Sequence, residues 1–203
     1  MATDNFCFKN YCSLERWSSY WHQLDEILKL KPASVLEVGI GDGVLCYYLK
    51  HNAGIKYTTM DVNKELAPDI LGSIESIPLS DGSYDLVCAF EVLEHLPFDR
   101  LSVVLAELSR VSKKYIVISL PHWGRHFSID IRMPLLKRIK GMMKFNLFPA
   151  KHEFNGQHYW EVGKKNYPLS RVRDSIKAAK LELLSHYVAF ESPYHHFFIM
   201  RKC

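Results

Sequence analysis

A short apolar run, Ser34 to Val38, empties directly into Gly39-Ile40-Gly41-Asp42-Gly43, and a helical stretch from Val44 to Lys50 follows. Glycines at this spacing let a chain turn tightly between a buried strand and a helix, and let a ligand approach the backbone closely. The rest of the chain repeats the same alternation. Lys56 to Val62 reads as a second strand with Asp61 near its C-terminal end, and Tyr84 to Phe90 as a third. A helix with Leu101, Val104, Leu105, Leu108 and Val111 on one face then leads to a strand from Tyr115 to Leu120, stopped by Pro121. Strands alternating with helices in this way predict an α/β domain around a mostly parallel sheet.

The two ends complete that plan. Leu14, Trp17, Trp21, Leu24 and Leu28 recur at helical steps, so residues 13–30 are expected to form an N-terminal cap helix that buries an aromatic-rich face. Ser170 can cap a helix running to about Lys180, and Glu182–Val188 and His196–Arg201 can pair as an antiparallel hairpin. The expected fold is therefore Rossmann-like and doubly wound, with an antiparallel C-terminal edge strand, in a single domain over residues 1–203. No stretch is long and charge-free enough to cross a bilayer, and the first residues lack the basic-then-apolar order of a signal peptide. The five cysteines form no CxxC pair. Reduced thiols and a missing leader point to the cytoplasm.

The glycine turn carries charge where a phosphate would lie. Its spacing is GxGxG, not the GxGxxG of dinucleotide folds, and Glu37 and Asp42 flank it. Like charges about 4 Å apart repel by about 1 kcal/mol in water and about 4 kcal/mol near a protein surface. Such a loop is poorly built for an anionic cofactor and suits a cationic one. Asp61, 22 residues after Gly39, stands where an acid can accept both hydroxyls of a ribose.

Three strings then become specific together: Val35-Leu-Glu-Val-Gly-Ile-Gly-Asp-Gly43 with Asp61, Gly72-Ser-Ile-Glu-Ser-Ile-Pro78, and Tyr84-Asp-Leu-Val-Cys-Ala-Phe-Glu-Val-Leu-Glu-His-Leu96. Over residues 34 to 120 the chain resembles the class I S-adenosylmethionine (SAM)-dependent methyltransferases of the methyltransferase-11 and ubiquinone-biosynthesis group. SAM carries a sulfonium and an ammonium and no phosphate, which agrees with the charge of the turn. The resemblance implies that Glu37, Gly39 and Gly41 hold the methionine end, Asp61 the ribose, Ser73 and the Ile74 backbone the adenine, and Phe90 the cofactor's other side. Ser73 departs from the Asp that many relatives carry, which removes a charge-assisted hydrogen bond.

Glu91, Glu94 and His95 are spaced to share one face of a helix after the third strong strand. Two carboxylates and an imidazole can ligate a divalent metal, and a metal or base must draw the proton from a hydroxyl before it attacks a sulfonium methyl. The string is similar to that of metal-dependent methyltransferases of ubiquinone biosynthesis and of small-RNA 3′ ends. The latter take a further histidine from downstream, a place His158 fills here. Two imidazoles would favour Mn²⁺, Co²⁺ or Zn²⁺ over Mg²⁺. The same acids are also favoured by the dipole of a helix N-terminus, so a structural or general-base role for the string stands beside the metal one.

His122, just after Pro121, is a candidate general base beside His95 and His158. Trp17, Tyr20 and Trp21 can close over the cofactor, whereas His195 and His196 read as structural. Residues 122–151 hold seven basic side chains against Asp130 alone, a local charge of +6 that leaves about −2 for the remainder of a +4 chain. Within that stretch residues 123–150 read as a basic amphipathic lid insertion over the substrate mouth, with Met133, Leu135, Leu136, Ile139, Met142, Met143 and Phe145 among its apolar members. Such a lid can meet a lipid-like acceptor, a membrane surface through residues 123–148, or phosphate groups. The expected activity is methyl transfer to oxygen or nitrogen of a small-molecule, lipid-linked or glycan-type acceptor. A metal-dependent RNA 2′-O-methyltransferase and a non-catalytic SAM-binding module are the alternatives.

Overall fold

The structure, a computed structural model, describes residues 11–134 and 137–203. Cys7, Leu135 and Leu136 lie outside the described residues. In chain order the elements are α1 (Leu14–Lys29), β1 (Ser34–Val38), α2 (Val44–Asn52), β2 (Lys56–Asp61), β3 (Ile70–Leu71), β4 (Tyr84–Phe90), α3 (Leu101–Val111), β5 (Ser112–Pro121), β6 (Arg125–Ile131), β7 (Ile139–Phe145), α4 (Leu169–Ala178), β8 (Leu181–Val188) and β9 (His195–Lys202). Seven strands form one sheet in the order β3-β2-β1-β4-β5-β9-β8, while β6 and β7 pair apart from it. The first five of that order run parallel, and β9 is antiparallel to both its neighbours. The reversed strand thus stands one place in from the edge, which β8 occupies. The β8–β9 hairpin docks through its second strand because β9 is apolar on both faces and β8 is not.

Alternation along the strands sorts the core into two layers, as the pleat requires. Val35, Leu86, Cys88, Val117, Phe197 and Ile199 pack with Ile27, Leu45 and Leu49 of α1 and α2. Their neighbours Leu36, Val87, Ala89, Ile116, Ile118, Phe198 and Met200 pack with Leu105, Leu108, Val172 and Ile176 of α3 and α4. Helices therefore cover both faces, and the C-terminal ends of β1, β2 and β4 open together at one rim.

The cap helix forms where the sequence predicts it, with Ser13 accepting the Arg16 N–H at 3.1 Å as its N-cap, but it buries a different face. Ser19, Tyr20, Gln23, Glu26 and Ile27 turn inward, while Leu14, Trp17, Trp21 and Leu28 are exposed, Leu14 by 81% and Trp21 by 60%. The polar inward face is satisfied: the Tyr187 hydroxyl donates to Glu26 Oε1 at 3.0 Å and the Tyr20 hydroxyl to Asp42 Oδ2 at 2.6 Å. Of the expected stripe only Leu24 packs on the core.

The basic insertion is a β-hairpin, β6 against β7, with every residue of β6 exposed. The Glu91-to-His95 string does not open an α-helix either. Glu91 sits at φ +54, and Leu93–His95 form a single 3-10 turn.

Candidate active site

A cleft of about 1000 Å³ lies across the C-terminal rim of the sheet. At one end the glycine turn is held by two anchors. The Gly39 N–H donates to the Met60 carbonyl at 2.8 Å, and Asp61 Oδ2 accepts from the Ile40 N–H at 3.1 Å while its Oδ1 accepts from Asn63 at 2.8 Å. Gly39 has φ +87, and a Cβ there would stand 2.4 Å from Val92 Cγ2, so no side chain fits. Glu37, Asp42 and Asp61 all line the cleft. Glu37 Oε2 is buried and has no hydrogen-bond partner among the described residues. Burial pushes the Glu37 carboxyl up to about 8, the nearby Tyr57 hydroxyl acts against the rise, and the Asp42 and Asp61 charges add to it. An orphaned carboxylate oxygen facing a cavity is what a cationic ligand would satisfy.

At the other end the cleft is lined by Phe90, Glu91, His95, His158, Tyr194 and His195. The His95 ring bonds the Gln157 carbonyl through Nδ1 at 3.0 Å. Because a carbonyl only accepts, that nitrogen carries the proton and Nε2 keeps its lone pair. Burial lowers the His95 pKa, which keeps the ring neutral. Beside it, edge-on at 5.1 Å between ring centres, stands His158, whose Nδ1 lies 3.3 Å from Glu161 Oε1. His158 Nε2 is 4.0 Å from Glu94 Oε1.

Glu94 is fully buried, and neither of its side-chain oxygens has a hydrogen-bond partner among the described residues. Burial first, and then the neighbouring Glu91 charge, raises its pKa well above the carboxylate range. Glu94, His95 and His158 offer ligand atoms all within 4.8 Å of one another. Glu91 stands outside that group. Its Oε1 accepts from the Ser119 hydroxyl at 2.8 Å, its Oε2 lies 4.0 Å from His195 Nε2, and burial pushes it up to about 8. The four sequence-predicted metal ligands are therefore three converging groups and one neighbour.

Residues 36–118 match the family model of a methyltransferase domain. The chain is thus similar to methyltransferase domains over most of β1 through most of β5, the glycine turn included. Solved structures resemble it along nearly its whole length. An S-adenosylmethionine-dependent methyltransferase from Clostridium acetobutylicum ATCC 824 superposes with a TM-score of 0.62 at 10% identity, over 98% of this chain and 95% of that one. The 1,6-didemethyltoxoflavin-N1-methyltransferase of Burkholderia thailandensis, with its acceptor and S-adenosylhomocysteine bound, gives 0.61 at 14% identity over 94% and 78%. Magnesium protoporphyrin IX methyltransferase from Synechocystis PCC 6803 gives 0.61 at 13% identity over 93% and 84%. No curated protein sequence matches the chain.

The structure gathers Glu37, Gly39, Gly41, Asp61, Phe90, Glu91, His95 and His158 at one cleft. Glu94 is buried and does not line it, and three further predicted residues fall elsewhere. Ile74 is packed in the core beneath the rim, and the Ser73 hydroxyl accepts the Glu75 N–H at 3.2 Å, so neither lines the cleft. Val62, Asn63 and Leu66 line it instead. His122 is turned away from it. Its ring stacks on His196 at 4.9 Å with Nδ1 atoms 2.8 Å apart, and burial, with the Lys144 charge, pushes its pKa down to about 4. A side chain pointing to the other face of β5 cannot serve as the base.

His195, read from sequence as structural, takes a place at the cleft. The signal for it is the antiparallel register, which sets Pro121 opposite His195 and so brings the start of β9 to the rim where β5 ends. Tyr20 lines the cleft through its bond to Asp42, whereas the exposed Trp17 and Trp21 do not. Arg16, on the first turn of α1, also reaches the cleft, and its position in a helix start gives no sequence signal.

Proposed function

We propose that the chain transfers a methyl group from SAM to an oxygen or nitrogen of a small-molecule, lipid-linked or glycan-type acceptor. The observation that carries this reading is the unpartnered, buried Glu37 oxygen at a cleft also lined by Asp42 and Asp61. In this assignment Glu37 and the backbone at Gly39 and Gly41 take the methionine end, and Asp61 takes the ribose hydroxyls. The loop at Val62, Asn63 and Leu66 takes the adenine side in place of Ser73 and Ile74, and Phe90 lies along the cofactor. SAM, when bound, supplies an electrophilic methyl on a sulfonium. The chain's own part is to orient the acceptor and remove its proton, and the neutral His95 with a free Nε2 lone pair is the base, supported by His158. Similar folds that hold 1,6-didemethyltoxoflavin, or that are named for methylating magnesium protoporphyrin IX, agree with a small-molecule substrate. Titration calorimetry tests the reading: micromolar binding of SAM and none of NAD at millimolar concentration is expected, and the reverse preference overturns it.

A second reading of the acceptor end rests on Glu94. A buried carboxylate with both oxygens unpartnered, facing two imidazoles, fits a divalent metal of the Mn²⁺ or Zn²⁺ type better than Mg²⁺. Glu94, His95 and His158 would hold it, and it would supply a Lewis acid that acidifies a hydroxyl acceptor, as an RNA 2′-hydroxyl requires.

A further inference from the structure

The β6–β7 hairpin wears its apolar residues on the outside. In an antiparallel pair, residues opposite one another project to the same face. The register pairs Phe127 with Met143, Ile129 with Gly141 and Ile131 with Ile139, so these share one face. That face is open: Phe127 is 57% and Met143 62% exposed, and a Cβ added at Gly141 would touch nothing within 4 Å. The alternate face, polar apart from Met142 opposite Ser128, is the one that holds the hairpin to the domain. It pairs His126 with Lys144 and Asp130 with Lys140. Lys144 Nζ donates to the carbonyls of His122 and, at 2.6 Å, Pro193, while Lys140 forms an ion pair with Glu191. Glu191 also meets His22 of α1 at 3.3 Å, so the hairpin is tied to the cap helix whose Trp21 is exposed.

Such an arrangement inverts the usual amphipathic logic, in which the apolar face is buried. Something must cover it. A second copy of the chain is a poor occupant: two seven-residue strands offer a face of roughly 23 by 10 Å, and two such faces fall well short of the about 1,200 Å² that a stable interface needs. Two hairpins would also bring like charges together. Arg132 and Arg138, which share Asp130 as their acid, and Lys137 crowd the turn end, in a segment of net charge +6.

We propose that the apolar face of the β6–β7 hairpin seats on an anionic phospholipid surface, with Arg132, Lys137 and Arg138 meeting lipid phosphates. Apolar insertion and basic attraction act together in such contacts, and neither suffices alone. Leu147 and Phe148, just beyond β7, are highly exposed as well. The proposal stands apart from the methyl-transfer reading, since it needs neither cofactor nor acceptor.

Cosedimentation of the whole protein with phosphatidylcholine vesicles containing about a quarter phosphatidylglycerol tests it. The wild type should pellet with these vesicles and bind phosphatidylcholine alone roughly tenfold more weakly. The double variant Phe127→Ser, Met143→Ser should lose roughly tenfold or more of the binding. Both positions are exposed, so its thermal melt and its SAM titration should match the wild type, which separates loss of docking from loss of the fold or of the methyltransferase reading. Absence of binding to the anionic vesicles, or equal binding by the double variant, overturns the proposal. So does a homodimer in sedimentation velocity that the double variant dissolves.

Discussion

Asp61→Ala is expected to lower the affinity for SAM by roughly a hundredfold, the largest loss of any single change at the cofactor end. Two effects add. A carboxylate at the tip of β2 offers charge-assisted hydrogen bonds to vicinal hydroxyls, and each such bond is worth about 1.5–3 kcal/mol. The same carboxylate also fixes the glycine turn, by accepting from the Ile40 N–H, and the following loop, by accepting from Asn63. Alanine removes both, so the turn loses a constraint as the ribose loses a partner. Calorimetric titration of wild type and variant, with a melt to confirm folding, measures it. An affinity within threefold or so of the wild type would remove Asp61 from the site.

The second large effect concerns stability and Glu94. Its raised pKa means that the folded protein keeps a proton which the unfolded chain surrenders above about pH 4.5. The sign follows: this group's favourable contribution is complete below that value and is lost as pH rises toward the folded pKa. Glu94→Gln keeps the shape and removes the titration. Wild type should therefore lose stability with rising pH faster than the variant, by about 1.4 kcal/mol per pH unit, or roughly 3–5 °C in Tm. A slope remains in the variant, since Glu37 and Glu91 are also pushed up to about 8. Thermal melts from about pH 5 to 8 read the difference, and parallel slopes would show that Glu94 is ionised in the folded protein. Under the metal reading, Mn²⁺ or Zn²⁺ raises the Tm of the wild type at the alkaline end and leaves Glu94→Gln unmoved.

The parts of this fold that were legible in the sequence are those where one period or one turn dominates. β1 and β5 are apolar runs closed by Gly39 and Pro121, β2 ends on Asp61, β4 follows the Asp81-Gly82 turn, and the turn at Gly39 to Gly43 needs positive φ that only glycine adopts cheaply. α1 was legible as a helix and illegible as a face. Its 3.6-residue period serves two stripes, and the polar one faces inward because Asp42 lies beneath Tyr20 and Tyr187 beside Glu26, partners that are remote in sequence. The hairpin at residues 125–145 hides for a related reason, since Gly141 on its apolar face and Met142 on its polar one interrupt the alternation of β7.

At the site, carboxylates and imidazoles near strand ends were visible, but their directions were not. His122, just past the end of β5, and His195, at the start of β9, stand at the same rim, and the alternation of the chain sends one out of the cleft and the other into it. Glu91 and Glu94 separate because the positive φ at Glu91 and the 3-10 turn after it break the helical spacing that would have kept them together.

The central claim, that a buried acid at the glycine turn receives a positively charged cofactor, is tested most directly by the pH dependence of SAM affinity. Glu37 must ionise to meet the ligand's ammonium, so binding should release a proton wherever the free protein holds one. Calorimetry should then show affinity rising with pH, by up to about tenfold per unit, and levelling above about pH 8, with the rise abolished in Glu37→Gln. An affinity that stays flat across this range in the wild type, or one that falls, would contradict it.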